Sequence, residues 1–135
     1  MTDSELSNRP LVLVLDDDTN ILLAFQDFMK KEGCEMVAVS SPQEALLLLE
    51  KQHFDLLISD LRLNYESGVT FVIRAKKIRH NIPLIVITGY PDTISEDELR
   101  NYGADYLLIK PLELKDLQHA VRSCLQRNQT EEFRS

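Results

Sequence analysis

The sequence contains no tryptophan, only two cysteines and four glycines, and no long apolar segment. Cys34 and Cys124 form no CxxC motif and have no histidine at metal-ligand spacing, so neither a disulfide framework nor a zinc site is predicted. The apolar runs, such as residues 45–49, are far shorter than the roughly 20 residues that a membrane span needs. The N-terminus also lacks the pattern of a signal peptide. A cytoplasmic protein without a membrane segment is therefore expected.

Positive charge is in the minority. The 135 residues include 15 Lys plus Arg against 22 Asp plus Glu, a formal net charge of −7. Such a surface repels a phosphate backbone, so direct binding of nucleic acid is not expected. Hydrophobic residues make up 44% of the chain and charged residues 27%, a composition typical of a globular domain with one core.

One folded unit is predicted over residues 10–127. Residues 1–9 and 128–135 are mostly polar, and both are expected to be short flexible tails. Inside the folded part, short runs rich in Val, Ile and Leu predict β-strands, and several are apolar throughout, which suits strands buried on both faces. The predicted strands are residues 11–15, 35–40, 55–59, 84–88 and 105–109.

Segments with helical spacing follow these strands. Ser41 with Pro42 and Glu44 has the pattern of a capping box, and Ser95 with Glu98 repeats it. Gly33 and Gly103 predict helix ends, since glycine adopts the left-handed conformation found there. The clearest buried stripes are Ile21, Leu22, Phe25, Phe28 and Met29, and then Leu114, Leu117, Val121, Cys124 and Leu125. Strand and helix alternate five times, which predicts a doubly wound α/β fold with a five-stranded parallel sheet.

Polar residues stand where four of these strands end. The first strand is followed by three acids at 16–18, the third by Asp60, the fourth ends at Thr88, and Lys110 follows the fifth. Functional residues of such folds collect at the carboxyl ends of the strands. Crowded carboxylates suit a hard cation such as Mg²⁺, and a lysine and a hydroxyl can neutralise the oxygens of a phosphoryl group.

Each of these residues also has an ordinary structural interpretation. The acids at 16–18 fit a helix N-terminus as well as a metal site, and Asp18 or Thr19 is the expected cap. In isolation Asp60 and Lys110 would be a loop acid and a solvated lysine. Their joint spacing is what favours a site. The three histidines, which lack metal-site spacing, are interpreted as having no part in it: His53, His80 and His119.

Over nearly the whole folded part, these spaced motifs resemble the receiver domains of bacterial two-component response regulators. The resemblance implies the flavodoxin-like (βα)5 receiver fold, with Asp60 as the phosphoacceptor. It implies a Mg²⁺ site formed by Asp16, Asp17, Asp60 and the backbone carbonyl of Arg62, with Asp17 the more direct ligand of the acidic pair.

The resemblance also assigns roles to the ends of the last two strands. Thr88 would bond a phosphoryl oxygen and move on activation, while Lys110 would form a salt bridge to the phosphoryl group and precede a cis peptide at Pro111. In this family the fourth helix, the fifth strand and the last helix form a partner-binding face. Tyr102, Tyr106 and Leu107 are therefore candidates for a switch or interface, although a role in the core fits each equally well.

Three features set this sequence apart from the family pattern. Asn64 replaces a common proline, so a looser loop at 61–67 is expected. Leu107 stands where many members carry the aromatic residue that rotates on activation, and Tyr106 should point to the opposite face of the strand. Arg62 and Tyr90 are bulky enough to shield an acyl phosphate, which predicts a long-lived phosphorylated state.

The sequence is compatible with three functions. The preferred one is a phosphoacceptor switch that takes its phosphoryl group from a histidine kinase or a histidine phosphotransfer protein and is not a conventional enzyme. The alternative is a pseudo-receiver that acts through protein contacts without phosphorylation, and a Mg²⁺-dependent phosphohydrolase fits least because no substrate pocket is evident. Dimerisation on phosphorylation stays open, as does whether the chain acts alone or belongs to a longer regulator or hybrid kinase.

Overall fold

The computed structural model describes residues 9–60, 65–89 and 96–134, with side chains described over 9–60, 68–89 and 97–126. Strands and helices alternate along the chain. The strands are β1 (Leu11–Leu15), β2 (Glu35–Val39), β3 (Leu56–Asp60), β4 (Leu84–Thr88) and β5 (Tyr106–Ile109). The helices are α1 (Thr19–Lys31), α2 (Pro42–Lys51), α3 (Tyr65–Ile78), α4 (Glu96–Asn101) and α5 (Leu114–Arg134).

The five strands form one parallel sheet in the order β2-β1-β3-β4-β5. β3 and β4 are buried along their whole length, which explains why both are apolar almost throughout. One core cluster lies between the sheet and α2, α3 and α4, and includes Leu13, Leu57 and Val86. The second lies on the opposite face against α1 and α5, and includes Phe28 and Ile58. The predicted doubly wound α/β architecture is confirmed.

Several helix boundaries follow from single residues, as predicted. Ser41 is the N-cap of α2, where its side chain accepts a hydrogen bond from the Glu44 amide at 3.2 Å and Pro42 begins the helix. Gly33 follows α1 with φ +77°. The last helix continues to Arg134, beyond the predicted boundary at residue 127, through a segment without glycine or proline that favours helix.

Two aspartates that precede strands were not singled out from the sequence. The amide of Asp55 donates to the Leu11 carbonyl at 2.8 Å, and its carboxylate accepts from the Leu11 amide at 2.8 Å. Asp105 makes the same pair of bonds with Leu84, also at 2.8 Å. Each carboxylate thus satisfies the first amide of a neighbouring strand, and β3 and β5 begin one residue later than predicted.

An ion pair fixes α1 against α5. The Glu32 carboxylate, at the end of α1, accepts from Arg122 Nε at 2.8 Å and from Gln118 Nε2 at 3.0 Å. Both donors favour the charged form, with Arg122 the larger effect, so they hold the pKa of Glu32 below its usual value. The two helices that cover the same face of the sheet are therefore joined by side chains as well as by the core.

Gly103, at the end of α4, has two reasons to be glycine. Its φ is +109°, and an added Cβ would lie 2.8 Å from Lys76 Cε, in a side chain held by a hydrogen bond from Nζ to the Ile82 carbonyl. We expect Gly103→Ala to lower the free energy of unfolding by about 2 kcal/mol, from backbone strain plus displacement of Lys76. Denaturant titration measures the change.

Gly33 supplies the matched control for this prediction. Its φ of +77° is also positive, but an added Cβ would meet nothing within 4 Å. Gly33→Ala should therefore cost only the backbone term, about 1 kcal/mol. Equal losses in the two variants would show that Lys76 contributes nothing at Gly103.

None of the helices in the described part of the chain has both the length and the apolar character required of a membrane span.

Candidate functional site

The buried polar side chains of the sheet gather at its carboxyl edge. Asp16 is 3% exposed, Asp60 4% and Thr88 1%, and each stands at or just beyond a strand end. Asp16 and Asp60 follow the apolar residues of neighbouring strands, and the amide of Asp16 donates to the Val39 carbonyl at 3.1 Å. Burial of two carboxylates is costly unless their charge is offset, so this edge marks a site.

Lys110 supplies a positive charge to this edge. Its amide donates to the Thr88 carbonyl at 2.9 Å, which continues the pairing of β4 with β5 by one step. Its ammonium Nζ then lies 2.7 Å from Asp60 Oδ2, where the lysine side chain is 20% exposed and the aspartate side chain 2%. The peptide bond between Lys110 and Pro111 is cis, as the family resemblance implied. The sheet therefore brings residues 50 positions apart into a buried ion pair.

Asp16 is the strained member of the cluster. Its Oδ1 accepts a hydrogen bond from the Asp18 amide at 2.9 Å, whereas its Oδ2 is buried without a hydrogen-bond partner in the described structure. The pKa of Asp16 is raised to about 6, chiefly by burial, which the hydrogen bond from the Asp18 amide opposes and the neighbouring Asp60 carboxylate reinforces. Near neutral pH, the site therefore holds negative charge that a bound cation would stabilise.

The three consecutive acids have different positions. Asp18 is the N-cap of α1 and accepts from the amides of Asn20 at 2.9 Å and Ile21 at 3.3 Å. Asp17 is exposed beside it, and Asp16 is buried. The cap interpretation therefore holds for Asp18, and the buried cluster contains Asp16.

Magnesium suits the oxygen atoms that this edge presents. The Asp16 and Asp60 carboxylates interact electrostatically. The buried Asp16 Oδ2, which has no hydrogen-bond partner among the described residues, could coordinate a cation. In the described ranges no three His, Cys, Asp or Glu side chains form a cluster that could hold a metal ion alone. Mg²⁺ commonly uses one or two carboxylates and keeps several waters, so two carboxylates are a compatible donor set.

The candidate switch residues lie on two different faces of β5. Leu107 packs against the cluster beside α2, α3 and α4, while Tyr106 packs against the cluster beside α1 and α5. The Tyr106 ring makes an edge contact with His119 of α5, with centroids 6.1 Å apart. Tyr102 is 38% exposed at the end of α4, and Ile109, which the sequence did not single out, is 50% exposed. Tyr106 therefore does not replace an aromatic residue at position 107.

Ser59 is a buried polar residue that the sequence analysis passed over. It precedes Asp60 on β3, is 1% exposed, and its hydroxyl has no hydrogen-bond partner among the described residues. By strand alternation it faces the opposite side of the sheet from Asp60. The sequence did contain a signal, because a serine is unusual inside an apolar strand. The adjacent Asp60 was given a role instead because it is an acid at the end of that strand.

Four positions named from the sequence lie outside the described residues. Arg62 and Asn64 belong to the segment 61–64, and Tyr90 and Ser95 to the segment 90–95. Four interpretations therefore stay predictions: the Arg62 carbonyl as a metal ligand, a looser loop at Asn64, the shielding of an acyl phosphate by Arg62 and Tyr90, and the second capping box at Ser95.

A five-stranded doubly wound domain with aspartates, a threonine and a lysine at its carboxyl edge has the architecture of a receiver domain. The chain is a member of the response regulator receiver domain family, whose model matches residues 12–122. Those residues include the whole of the site described above.

Two curated relatives of this chain are bacterial signalling proteins. The transcriptional regulatory protein BasR of Escherichia coli strain K12 is 28% identical over 117 residues, which cover 87% of this chain and 53% of BasR. Sporulation initiation phosphotransferase F of Bacillus subtilis is 26% identical over 114 residues, 84% of this chain and 92% of that protein. The chain spans only 26–53% of the first regulators it matches, so their whole-protein activities do not transfer with the domain.

A solved structure has the same fold. A receiver domain protein described as CheY-like, from Methanospirillum hungatei JF-1, superimposes with a TM-score of 0.82 at 28% identity, covering 92% of this chain and 99% of that one.

Proposed function

We propose that this domain is a phosphoacceptor switch in a two-component phosphorelay. The single observation that carries the proposal is the ion pair of 2.7 Å between Lys110 Nζ and Asp60 Oδ2, buried beside a second carboxylate. Structural stability alone does not favour such a cluster, because removing charges from water is costly. A site that must receive and neutralise a phosphoryl group requires it.

In the transfer, a carboxylate oxygen of Asp60 attacks the phosphorus of a phosphohistidine. The P–O bond of an acyl phosphate forms as the P–N bond breaks, and the imidazole nitrogen leaves with the bonding electrons and takes up a proton. Lys110 holds the accepting carboxylate and then bonds the phosphoryl oxygens, and Thr88 donates its hydroxyl to one of them. Asp16, Asp17, Asp60 and the Arg62 carbonyl would hold Mg²⁺, which when bound neutralises phosphoryl oxygens.

The phosphoryl donor is a histidine kinase or a histidine phosphotransfer protein. An apolar groove of about 350 Å³ runs beside Lys110, between α1 and residues 111–117, and offers a surface for it. The domain works in the cytoplasm as a signalling protein that catalyses only its own phosphorylation and dephosphorylation. Its output follows from a shift between two conformations, passed to a protein partner or a second copy of the chain.

Intact-protein mass spectrometry after incubation with acetyl phosphate and Mg²⁺ tests the proposal. We expect one phosphoryl adduct on the native chain, no adduct on Asp60→Asn, and none when a chelator replaces Mg²⁺. Asp27→Asn is the matched control, because Asp27 is an exposed acid on α1 paired with Lys31, and it should be phosphorylated like the native chain. No adduct from acetyl phosphate or from a phosphorylated partner would instead favour the pseudo-receiver.

A further inference from the structure

Positive charge is concentrated in one short segment of this acidic chain. Residues 67–91 contain no Asp or Glu, and residues 74–80 contain four Lys or Arg together with His80, although the whole chain has a net charge of −7. The segment covers the end of α3 and the turn before β4. It therefore lies at the amino edge of the sheet, on the side opposite to Asp60.

Two of these cations are bound to backbone carbonyls. Lys76 Nζ donates to the Ile82 carbonyl. Arg79 Nε donates to the Leu49 carbonyl at 2.8 Å and its Nη2 to the Gln52 carbonyl at 3.4 Å, so it joins the end of α3 to the end of α2. These contacts hold the guanidinium in place and use two of its five N–H groups. Its other N–H groups keep their capacity to donate.

The other two cations are exposed on one side of α3. Arg74 and Lys77 are three residues apart, so their side chains are neighbours on the helix surface. In the described part of the chain, neither forms an ion pair. Ile78, one turn after Arg74, lines a pocket at this corner. The two exposed cations thus belong to the last turns of the helix that supplies this lining residue.

This pocket is lined by both polar and apolar side chains. Its volume is about 260 Å³, and its polar lining includes Arg79 and His80. His53 also lines it and lies 3.1 Å from Asp55, whose other oxygen accepts from the Leu11 amide. The apolar lining consists of Phe54, Ile78, Ile82 and Pro83. The space suits a single side chain rather than a cofactor, since small-molecule sites usually begin at about 300 Å³.

We propose that this corner of the domain binds an acidic peptide segment of a protein partner. The basic corner, as we call it, consists of Arg74, Lys77 and the pocket beside Arg79. An apolar side chain of the peptide enters the pocket, and flanking carboxylates meet Arg74, Lys77 and the Arg79 guanidinium, whose planar fork matches a carboxylate. The net charge of −7 disfavours binding of a long polyanion such as nucleic acid. Inorganic phosphate is also disfavoured as the ligand, because it has no apolar group to contact the apolar lining.

Fluorescence anisotropy with a labelled peptide of sequence Glu-Asp-Leu-Asp-Glu tests the proposal. We expect saturable binding to the full chain, with amide NMR shifts at residues 53–54 and 78–82. The double variant Arg74→Gln and Lys77→Gln should weaken binding about tenfold, since each exposed ion pair contributes modestly. Lys30→Gln with Lys31→Gln, the same charge change at the end of α1, should leave the affinity unchanged.

Each other outcome overturns the proposal. Equal weakening by both double variants would mean general charge attraction, and undiminished binding of a peptide with glycine in place of leucine would exclude the pocket. Absence of binding, with Arg74→Gln and Lys77→Gln lowering only the free energy of unfolding, would mean that these cations merely stabilise the end of α3. Asp60→Asn should bind the peptide like the native chain, so this result is independent of the phosphoacceptor role.

Discussion

Replacing Lys110 by methionine is expected to lower the free energy of unfolding by about 3 kcal/mol at neutral pH, because breaking a buried ion pair leaves charge without compensation. The ammonium lies 2.7 Å from Asp60 Oδ2, and it also attracts the neighbouring Asp16 carboxylate. Methionine keeps much of the length of the side chain but removes its charge. Urea unfolding in the presence of a chelator, followed by circular dichroism, measures the loss.

An exposed lysine nearby provides the control. Lys115 pairs with Glu113 at 3.6 Å, with side chains that are 81% and 65% exposed. Lys115→Met should therefore change the free energy of unfolding by only a few tenths of a kcal/mol, as is typical of surface pairs. The deficit of Lys110→Met should shrink as the pH falls below about 6, the pKa of Asp16, because protonation of Asp16 removes one of the two carboxylate charges that the lysine offsets. A deficit that is equal for both lysines would contradict a buried ion pair.

Asp16→Asn should have the opposite effect and stabilise the metal-free protein by about 3 kcal/mol at neutral pH. The pKa of Asp16 is raised from 3.8 to about 6, chiefly by burial, and each unit of pKa corresponds to about 1.4 kcal/mol. Asparagine keeps an oxygen for the Asp18 amide, which Asp16 Oδ1 now accepts at 2.9 Å. It also removes the repulsion between the two carboxylates.

The raised pKa of Asp16 also determines how the stability of the native chain changes with pH. Because the folded-state pKa is above the unfolded one, the folded chain holds a proton between pH 4 and 6 that the unfolded chain has released. The contribution of Asp16 therefore favours folding at low pH and is lost as the pH rises through about 6. The native chain should lose stability over that range relative to Asp16→Asn, and the gap between them should close near pH 4.

Two comparisons separate this mechanism from a general effect of charge. Asp27→Asn removes an acid that is 69% exposed and paired with Lys31, so it should change stability by only a few tenths of a kcal/mol. Added Mg²⁺ should stabilise the native chain by mass action but have little effect on Asp16→Asn. If Asp16→Asn proves less stable than the native chain in chelator, the buried carboxylate is not under strain.

The fold was predictable because its local patterns agree with one another. Apolar runs such as Leu84–Thr88 predicted buried strands, Ser41 and Gly33 marked helix boundaries, and the alternation of strand and helix allowed few topologies. The misjudged boundaries have a physical cause. Asp55 and Asp105 were assigned to strands on position alone, whereas each in fact binds the first residue of a neighbouring strand, a contact that requires the folded sheet.

The site, like the fold, has features that the sequence predicted and features that it did not. Its acids and lysine were identifiable from their positions at strand ends, because parallel strands bring their carboxyl ends to one edge. Their charge states were not identifiable, since the burial of Asp16 and its contact with Asp60 depend on packing. The basic corner was also hidden. Residues 74–80 are visibly basic, but only the folded chain places Arg79 and His80 with His53 and Phe54 around a pocket.

Local periodicity and the chemistry of single residues were enough to predict the order of elements and most of the core, and to single out Asp60, Thr88 and Lys110 together. The prediction was wrong for Leu114, which was placed in a buried stripe but is the first residue of α5 and 68% exposed. Folding alone decided that Asp18 rather than Thr19 caps α1 while Asp16 is buried. It also decided which helices meet each face of β5, with Leu107 beside α2, α3 and α4 and Tyr106 beside α1 and α5. The difference arises because secondary structure reflects neighbours along the chain, whereas burial, ion pairing and pKa reflect neighbours in space.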